Sequence, residues 1–185
     1  MNKENLLFLQ ELIDIVKVSK ELQNIKKEMI EGSNHYEFLY LITRVMKPEL
    51  DVELGTERGL SMLYMMEGHP SAKFYTVDIN PESGLYLKDK NVTRIIGDSA
   101  KSANQIPDNI DILFEDTNHK YGTINNEFNA YFPKLREGGI MIFDDINSKG
   151  VPGAKEWWED LNYPIKINFN KVHLGFGMSA IIKCQ

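Results

Sequence analysis

Val52-Glu53-Leu54-Gly55-Thr56-Glu57-Arg58-Gly59-Leu60-Ser61 runs from a short apolar stretch, through two glycines, into the start of a helical pattern. Glycine adopts left-handed backbone angles without a Cβ clash, so Gly55 and Gly59 let the chain turn tightly and pass close to a ligand. The helix beginning after them points free backbone N–H groups at the same spot. The stretch is not the dinucleotide fingerprint, because Glu57 and Leu60 stand where its second and third glycines belong. A carboxylate there also suits a pyrophosphate poorly, since like charges would meet. A ligand without phosphates, carrying a positive charge, fits this loop better.

Outward from this loop, apolar runs alternate with helical stretches. Leu50–Leu54 precedes Met62–Met66, Lys73–Val77 precedes a short segment near Leu85, and Val92–Ile96 precedes Ala100–Gln105. Ile110–Phe114 precedes Ile124–Leu135, and Ile140–Phe143 precedes Ala154–Leu161. Strands separated by helices return in the same direction, which predicts a parallel sheet covered on both faces. Ile165–Asn170 and Met178–Ile182 instead flank His173-Leu174-Gly175 with no helix between, which predicts a closing hairpin. Upstream, Leu6, Leu9, Ile13 and Val16, then Leu22, Ile25 and Met29, recur at helical spacing, so residues 3 to about 47 read as helical. Ser33 or Asn34 is placed to cap a second helix over Tyr36–Met46, and Pro48 stops it. The expectation is an α/β, Rossmann-like, doubly wound and mostly parallel sheet with an antiparallel final strand. A helical cap occupies residues 1–47 and the ligand-binding domain residues 48–185.

With 185 residues and 21.3 kDa, the chain has room for one domain, and 42% hydrophobic against 26% charged residues is a globular mixture. Twenty-one Lys and Arg against 27 Asp and Glu give a net charge of −6. Without a dense basic cluster, that argues against nucleic acid as a partner. Cys184 alone excludes a disulfide scaffold or a Cys-rich zinc site. The apolar run Leu6–Leu9 is too short for a secretory signal or a membrane span, so a soluble, cytoplasmic protein without a membrane partner is expected.

Ligands of open α/β sheets sit beyond the carboxyl ends of the strands. Every predicted strand end here is acidic: Glu53, Asp78, Asp98, Asp116 and Asp144-Asp145. Any one of these carboxylates also reads as an ordinary solvated loop residue, but five of five point to a pocket. Asp78 follows Gly59 at a distance where an acidic side chain accepts hydrogen bonds from ribose hydroxyls. Asp98-Ser99 is placed to receive an adenine amino group. Together they describe a nucleoside with a cationic tail.

VELGTERGLS (52–61), FYTVDIN (74–80), IIGDSA (95–100), IDILFEDTNHKYG (110–122) and GGIMIFDDI (138–146) resemble, in order and spacing, the class I S-adenosylmethionine-dependent methyltransferases, in particular their small O-methyltransferase branch. The resemblance covers residues 50 to 146. It implies that Glu53, Gly55, Thr56, Gly59 and Ser61 surround the methionine part of the cofactor, and that Asp78 and Ile79 hold the ribose. Asp98 with Ser99 would meet the adenine, and Asp116 the reactive end. Glu57 departs from the glycine that many relatives carry.

The fourth and fifth strand ends are then expected to hold the acceptor. Methyl transfer is a single displacement, so the protein aligns nucleophile and sulfonium and deprotonates an oxygen nucleophile. Asp116, Asp144 and Asp145 offer oxygen ligands for one Mg²⁺-like ion, which resembles the Asp, Asp and Asn set of catechol-type methyltransferases. A second reading, in which they cap loops and bind no ion, stays open. His119 stands where catechol-type relatives place a catalytic Lys, and neutral imidazole suits a base near pH 7; a structural role for a lone loop His is the competing reading. Lys120 and Tyr121 are weaker candidates for orienting the acceptor. His35, His69 and His173 read as surface or core fillers. Of Trp157 and Trp158, one is expected on the sheet and one at an interface. The loop Asn147–Gly153 either closes over the acceptor or is an ordinary connection. The sum is a methyltransferase acting on a small-molecule hydroxyl, with a homodimer conceivable by analogy. A non-catalytic S-adenosylmethionine-binding or assembly module and a nicotinamide-dependent oxidoreductase are the alternatives.

Overall fold

The computed structural model describes residues 35–169 and 176–184. The helical pattern upstream of His35, the cap at Ser33 or Asn34, and His173 fall outside the described residues. Among the described residues seven strands form one sheet, in the order β3-β2-β1-β4-β5-β7-β6. They are β1 (Leu50–Leu54), β2 (Lys73–Asp78), β3 (Thr93–Ile96), β4 (Ile110–Glu115), β5 (Leu135–Phe143), β6 (Lys166–Phe169) and β7 (Met178–Ile182). β1 to β5 pair in parallel, and β7 runs antiparallel to both β5 and β6. The antiparallel final strand is as expected, but it inserts between β5 and β6 rather than forming the edge.

Among the described residues four α-helices flank the sheet: α1 (His35–Met46), α2 (Leu60–Gly68), α3 (Tyr121–Tyr131) and α4 (Pro152–Asp160). The expected helices near Leu85 and over Ala100–Gln105 are 3₁₀ turns, Leu85–Leu87 and Lys101–Gln105. Short turns there let β2, β3 and β4 follow one another with little covering chain, and β3 shows solvent at Thr93 and Ile96. β5 begins at Leu135, five residues before the expected Ile140, because Arg136 to Gly139 carry too little apolar side chain to signal a strand.

Every residue of β1, β4 and β7 is buried, the signature of strands covered on both faces. Alternation along the strands divides the apolar side chains into two layers. On one face Ile112, Phe114, Ile140, Ile142 and Phe74 meet Phe38, Leu39 and Ile42 of α1 and Met62 and Met65 of α2. On the other, Val52, Leu54, Leu113, Met141 and Phe143 meet Ile124 and Tyr131 of α3 and Ala154, Trp157 and Trp158 of α4. Both tryptophans are buried, so neither is interfacial within the fold. Each packs on Phe143, and Lys166 Nζ sits 4.4 Å from the Trp158 ring centroid.

Candidate active site

The sheet order places β1 and β4 side by side at its centre, with chain progression reversing between them, and the crevice opens beyond their carboxyl ends. Gly55 and Gly59 take φ of +91° and +87°, angles that favour glycine. At Gly55 the need is also steric: an added Cβ would lie 1.9 Å from the carbonyl oxygen of Asp116. The loop after β1 is thus pressed against the loop after β4. Asp78 fastens it from the other side, as its Oδ2 accepts the backbone N–H groups of Thr56 and Glu57, each at 2.9 Å. Oδ1 accepts the Asn80 N–H at 2.8 Å. A carboxylate has about four acceptor positions, so capacity for a hydroxyl remains.

A cavity of about 580 Å³ follows, within the range of small-molecule sites. It runs from the first turn of α2 (Leu60, Ser61), past Asp78 and Ile79, to Asp98 and Ser99 on one side and Asp116 to Asn118 on the other. Of the residues expected at the cofactor, Gly55, Thr56, Ser61, Asp78, Ile79, Asp98, Ser99 and Asp116 line it. Glu53 and Gly59 do not. Glu53 is fully buried, with one oxygen taken by the Ser61 hydroxyl and the other by the Thr76 hydroxyl at 2.6 Å. Burial pushes its carboxyl up to about 8 against these two hydrogen bonds. It ties the start of α2 to β2 and shapes the wall from beneath. Gly59 packs against Leu87.

His35 and Tyr36, at the start of α1, also line the cavity, and His35 is buried. Burial, then the charges of Glu57, Asp116, Asp144 and Glu53, raises the Tyr36 phenol above its ordinary value. The helical periodicity of α1 gave no hint of either residue's role, because both sit where α1 begins and are aimed by its packing on β6, through Phe38 on Phe169.

At the acceptor end His119 lies between two carboxylates. Its Nε2 is 3.2 Å from Asp116 Oδ1 and its Nδ1 3.9 Å from Asp145 Oδ2. Burial alone would lower its pKa, but the Asp116 hydrogen bond and the charges of Glu115, Asp116 and Asp145 outweigh that and raise it to about 9. These neighbours favour the protonated ring, where the sequence reading has a neutral imidazole near pH 7. Asp116, Asp144 and Asp145 do not converge, and among the described residues no group of three or more His, Cys, Asp or Glu side chains is arranged to hold an ion. The donor set is taken up otherwise, with the imidazolium between Asp116 and Asp145 and Asp144 buried. His119 and Asp145 both have left-handed φ, +54° and +55°, and the start of α4 presses its Gly153 against the backbone of residues 119–121. The 147–153 loop is thereby anchored beside His119.

Residues 52–146 match the family described as "Methyltransferase domain", and the chain belongs to that family. An uncharacterized protein of Acanthamoeba polyphaga mimivirus is 30% identical over 141 residues, 65% of this chain. The chain spans 64% of that protein's length. Among solved structures, the O-methyltransferase TomG of Streptomyces achromogenes, in complex with SAM and involved in tomaymycin synthesis, superposes with a TM-score of 0.65 at 18% identity, covering 81% of this chain and 80% of that one. The O-methyltransferase of Bacillus cereus in complex with SAH gives 0.65 at 15% identity, covering 94% and 91%. A methyltransferase from Geobacter sulfurreducens gives 0.67 at 18%, covering 92% and 89%. These neighbours share the fold.

Proposed function

We propose that the chain transfers a methyl group from S-adenosylmethionine to a hydroxyl of a small molecule, with His119 and Asp116 handling the acceptor. The observation that carries the reading is the single cavity joining the Gly55–Ser61 loop, Asp78 and Asp98-Ser99 to Asp116 beside His119. The cofactor supplies an electrophilic methyl group on a sulfonium.

The residues fit that cofactor in order. The N–H groups opening α2 suit a carboxylate, as helix N-termini do, while Asp116 at the cavity wall gives the loop the negative field a sulfonium favours. Asp78 Oδ1 faces ribose hydroxyls, and Asp98 and Ser99 the base. Tyr36 closes the donor end from α1 and keeps water from it. His119 takes the acceptor's hydroxyl proton once it has itself given one up, and Asp116 and Asp145 keep the ring oriented. Because the ring holds its proton to about pH 9, kcat/KM is expected to rise with pH through that region. The His119 ring stands between Asp116 and Asp145, two of the carboxylates an ion would use, so no step is routed through a metal.

The decisive test is thermal unfolding with S-adenosylhomocysteine, with and without Mg²⁺, beside Asp78→Ala. A ligand at about 100 times its Kd adds roughly 2.7 kcal/mol, or about 5–10 °C at this size. A shift abolished by Asp78→Ala and unaffected by Mg²⁺ supports the reading. No shift at millimolar ligand sinks it. Binding without transfer to any phenolic or sugar hydroxyl would leave a binding module in its place.

A further inference from the structure

Two buried carboxyl groups lie against the base end of the cavity and take no part in the chemistry described so far. Glu115, the last residue of β4, and Glu127, in the middle of α3, are both fully buried. Three groups bridge them to the cavity wall. The Ser99 hydroxyl donates to Glu127 Oε1. The Thr117 hydroxyl lies 2.7 Å from Glu115 Oε1 and 3.1 Å from Glu127 Oε2, and the Thr117 N–H donates to Glu115 Oε1 at 3.2 Å. Tyr131, one turn beyond Glu127, donates its hydroxyl to the Ser99 carbonyl at 2.8 Å and fixes that residue's backbone.

Counting hydrogens shows what this arrangement imposes. Thr117 has one hydroxyl hydrogen for two carboxylate oxygens, and two neighbouring buried carboxyl groups cannot both stay charged without great cost. The pair therefore shares a proton. Burial raises both carboxyls, and toward the cavity wall Glu127 acts as acceptor, taking the Ser99 hydroxyl on Oε1 and the Thr117 hydroxyl on Oε2. The single hydrogen of Ser99 is consequently spent on Glu127, and the hydroxyl can offer the cavity lone pairs only. Asp98 beside it is a carboxylate, already accepting the Lys101 N–H at 3.0 Å, and adds a second acceptor.

We infer that Glu127, set by its partner Glu115, is a specificity-determining positioning residue that fixes the Ser99 hydroxyl as a hydrogen-bond acceptor and so selects a 6-amino over a 6-oxo purine at this end of the cavity. An exocyclic amino group donates to such a wall, whereas a carbonyl oxygen meets lone pair against lone pair. A site whose polar groups are fixed this way discriminates strongly, because the wrong ligand leaves them unpaired. The inference rests on the cofactor reading above and deepens it by naming what reads the base.

The test is calorimetric titration with S-adenosylhomocysteine and with its 6-oxo analogue, S-inosylhomocysteine. The unaltered chain should bind the amino form tighter by roughly tenfold or more. Glu127→Met keeps the volume but frees the Ser99 hydroxyl to turn and donate, so the ratio should fall to within about threefold. Glu127→Gln, whose amide oxygen can still take the Ser99 hydrogen, should keep most of it, a rescue that a purely structural role for the carboxyl would not give. Ser99→Ala removes the hydroxyl that Glu127 sets and should cut the ratio to what Asp98 alone supplies, whether or not Glu127→Met folds. A wild-type ratio in either Glu127→Met or Ser99→Ala overturns the inference. Equal binding of both ligands by the unaltered chain overturns it while the cofactor reading stands, and binding of neither removes both.

Discussion

A methyl group on Gly55 would have to occupy the space of the Asp116 carbonyl, 1.9 Å away, at a backbone angle that already disfavours any Cβ. Gly55→Ala is expected to destabilise the fold by roughly 2 kcal/mol or more and to abolish S-adenosylhomocysteine binding, read from denaturant midpoints and titration calorimetry. A normal midpoint with normal binding would mean the two loops are not in contact. At His119 the competing forces are burial, which favours the neutral ring, and the surrounding carboxylates, which win and hold it charged. His119→Ala should spare cofactor binding and lower kcat by about 10²–10⁴-fold, removing the rise of kcat/KM toward pH 9. Equal loss of binding and turnover would count against its role as base.

Helix α1 serves packing and site together. Its Phe38, Leu39 and Ile42 are fully buried on the sheet, and the Phe38 ring lies 4.6 Å from that of Phe169 on β6. The same docking sets His35 and Tyr36 at the cavity wall. Phe38→Ala should cost about 3–5 kcal/mol and weaken S-adenosylhomocysteine binding as Tyr36 loses its support. If chemical denaturation shows under about 1 kcal/mol, α1 is not held by that contact. The 3₁₀ turns between β2 and β4 show the reverse economy. Leu87 alone is fully buried in the first of them, beneath Gly59, so one side chain carries the contact that a longer helix would spread over a face.

Over the whole molecule, several groups hold protons in the folded chain that they would lose when unfolded. Burial, opposed by two hydroxyl hydrogen bonds, pushes Glu53 up to about 8. Burial, then Glu127, raises Glu115, and burial, then Asp111, raises Asp51. The carboxylates around His119 raise it to about 9 against burial. In each case the folded pKa exceeds the unfolded one, so the folded state binds more protons between about pH 4.5 and 9. Stability must then fall as pH rises through that window. The melting temperature should drop by about 5 °C or more from pH 6 to pH 9, and Glu115→Gln should flatten the slope. A melting temperature that rises over that range would reverse the assigned protonation states.

The strand–helix alternation, the acidic strand ends and the loop from Val52 to Ser61 were legible in the sequence because each depends on local spacing. A strand covered on both faces needs a continuous apolar run, and a tight turn over a ligand needs glycine, whatever lies elsewhere in the chain. From them came the sheet, the antiparallel final strand and eight of ten expected cofactor residues lining one cavity. What spacing could not carry was decided by contacts between distant segments. Only the folded chain buries Glu53 beneath the wall, brings His119 between Asp116 and Asp145 so that it keeps its proton, and sets Glu127 of α3 against Ser99 beyond β3. Protonation and hydrogen-bond direction depend on burial and on neighbours from other elements, and neither is defined until those elements meet.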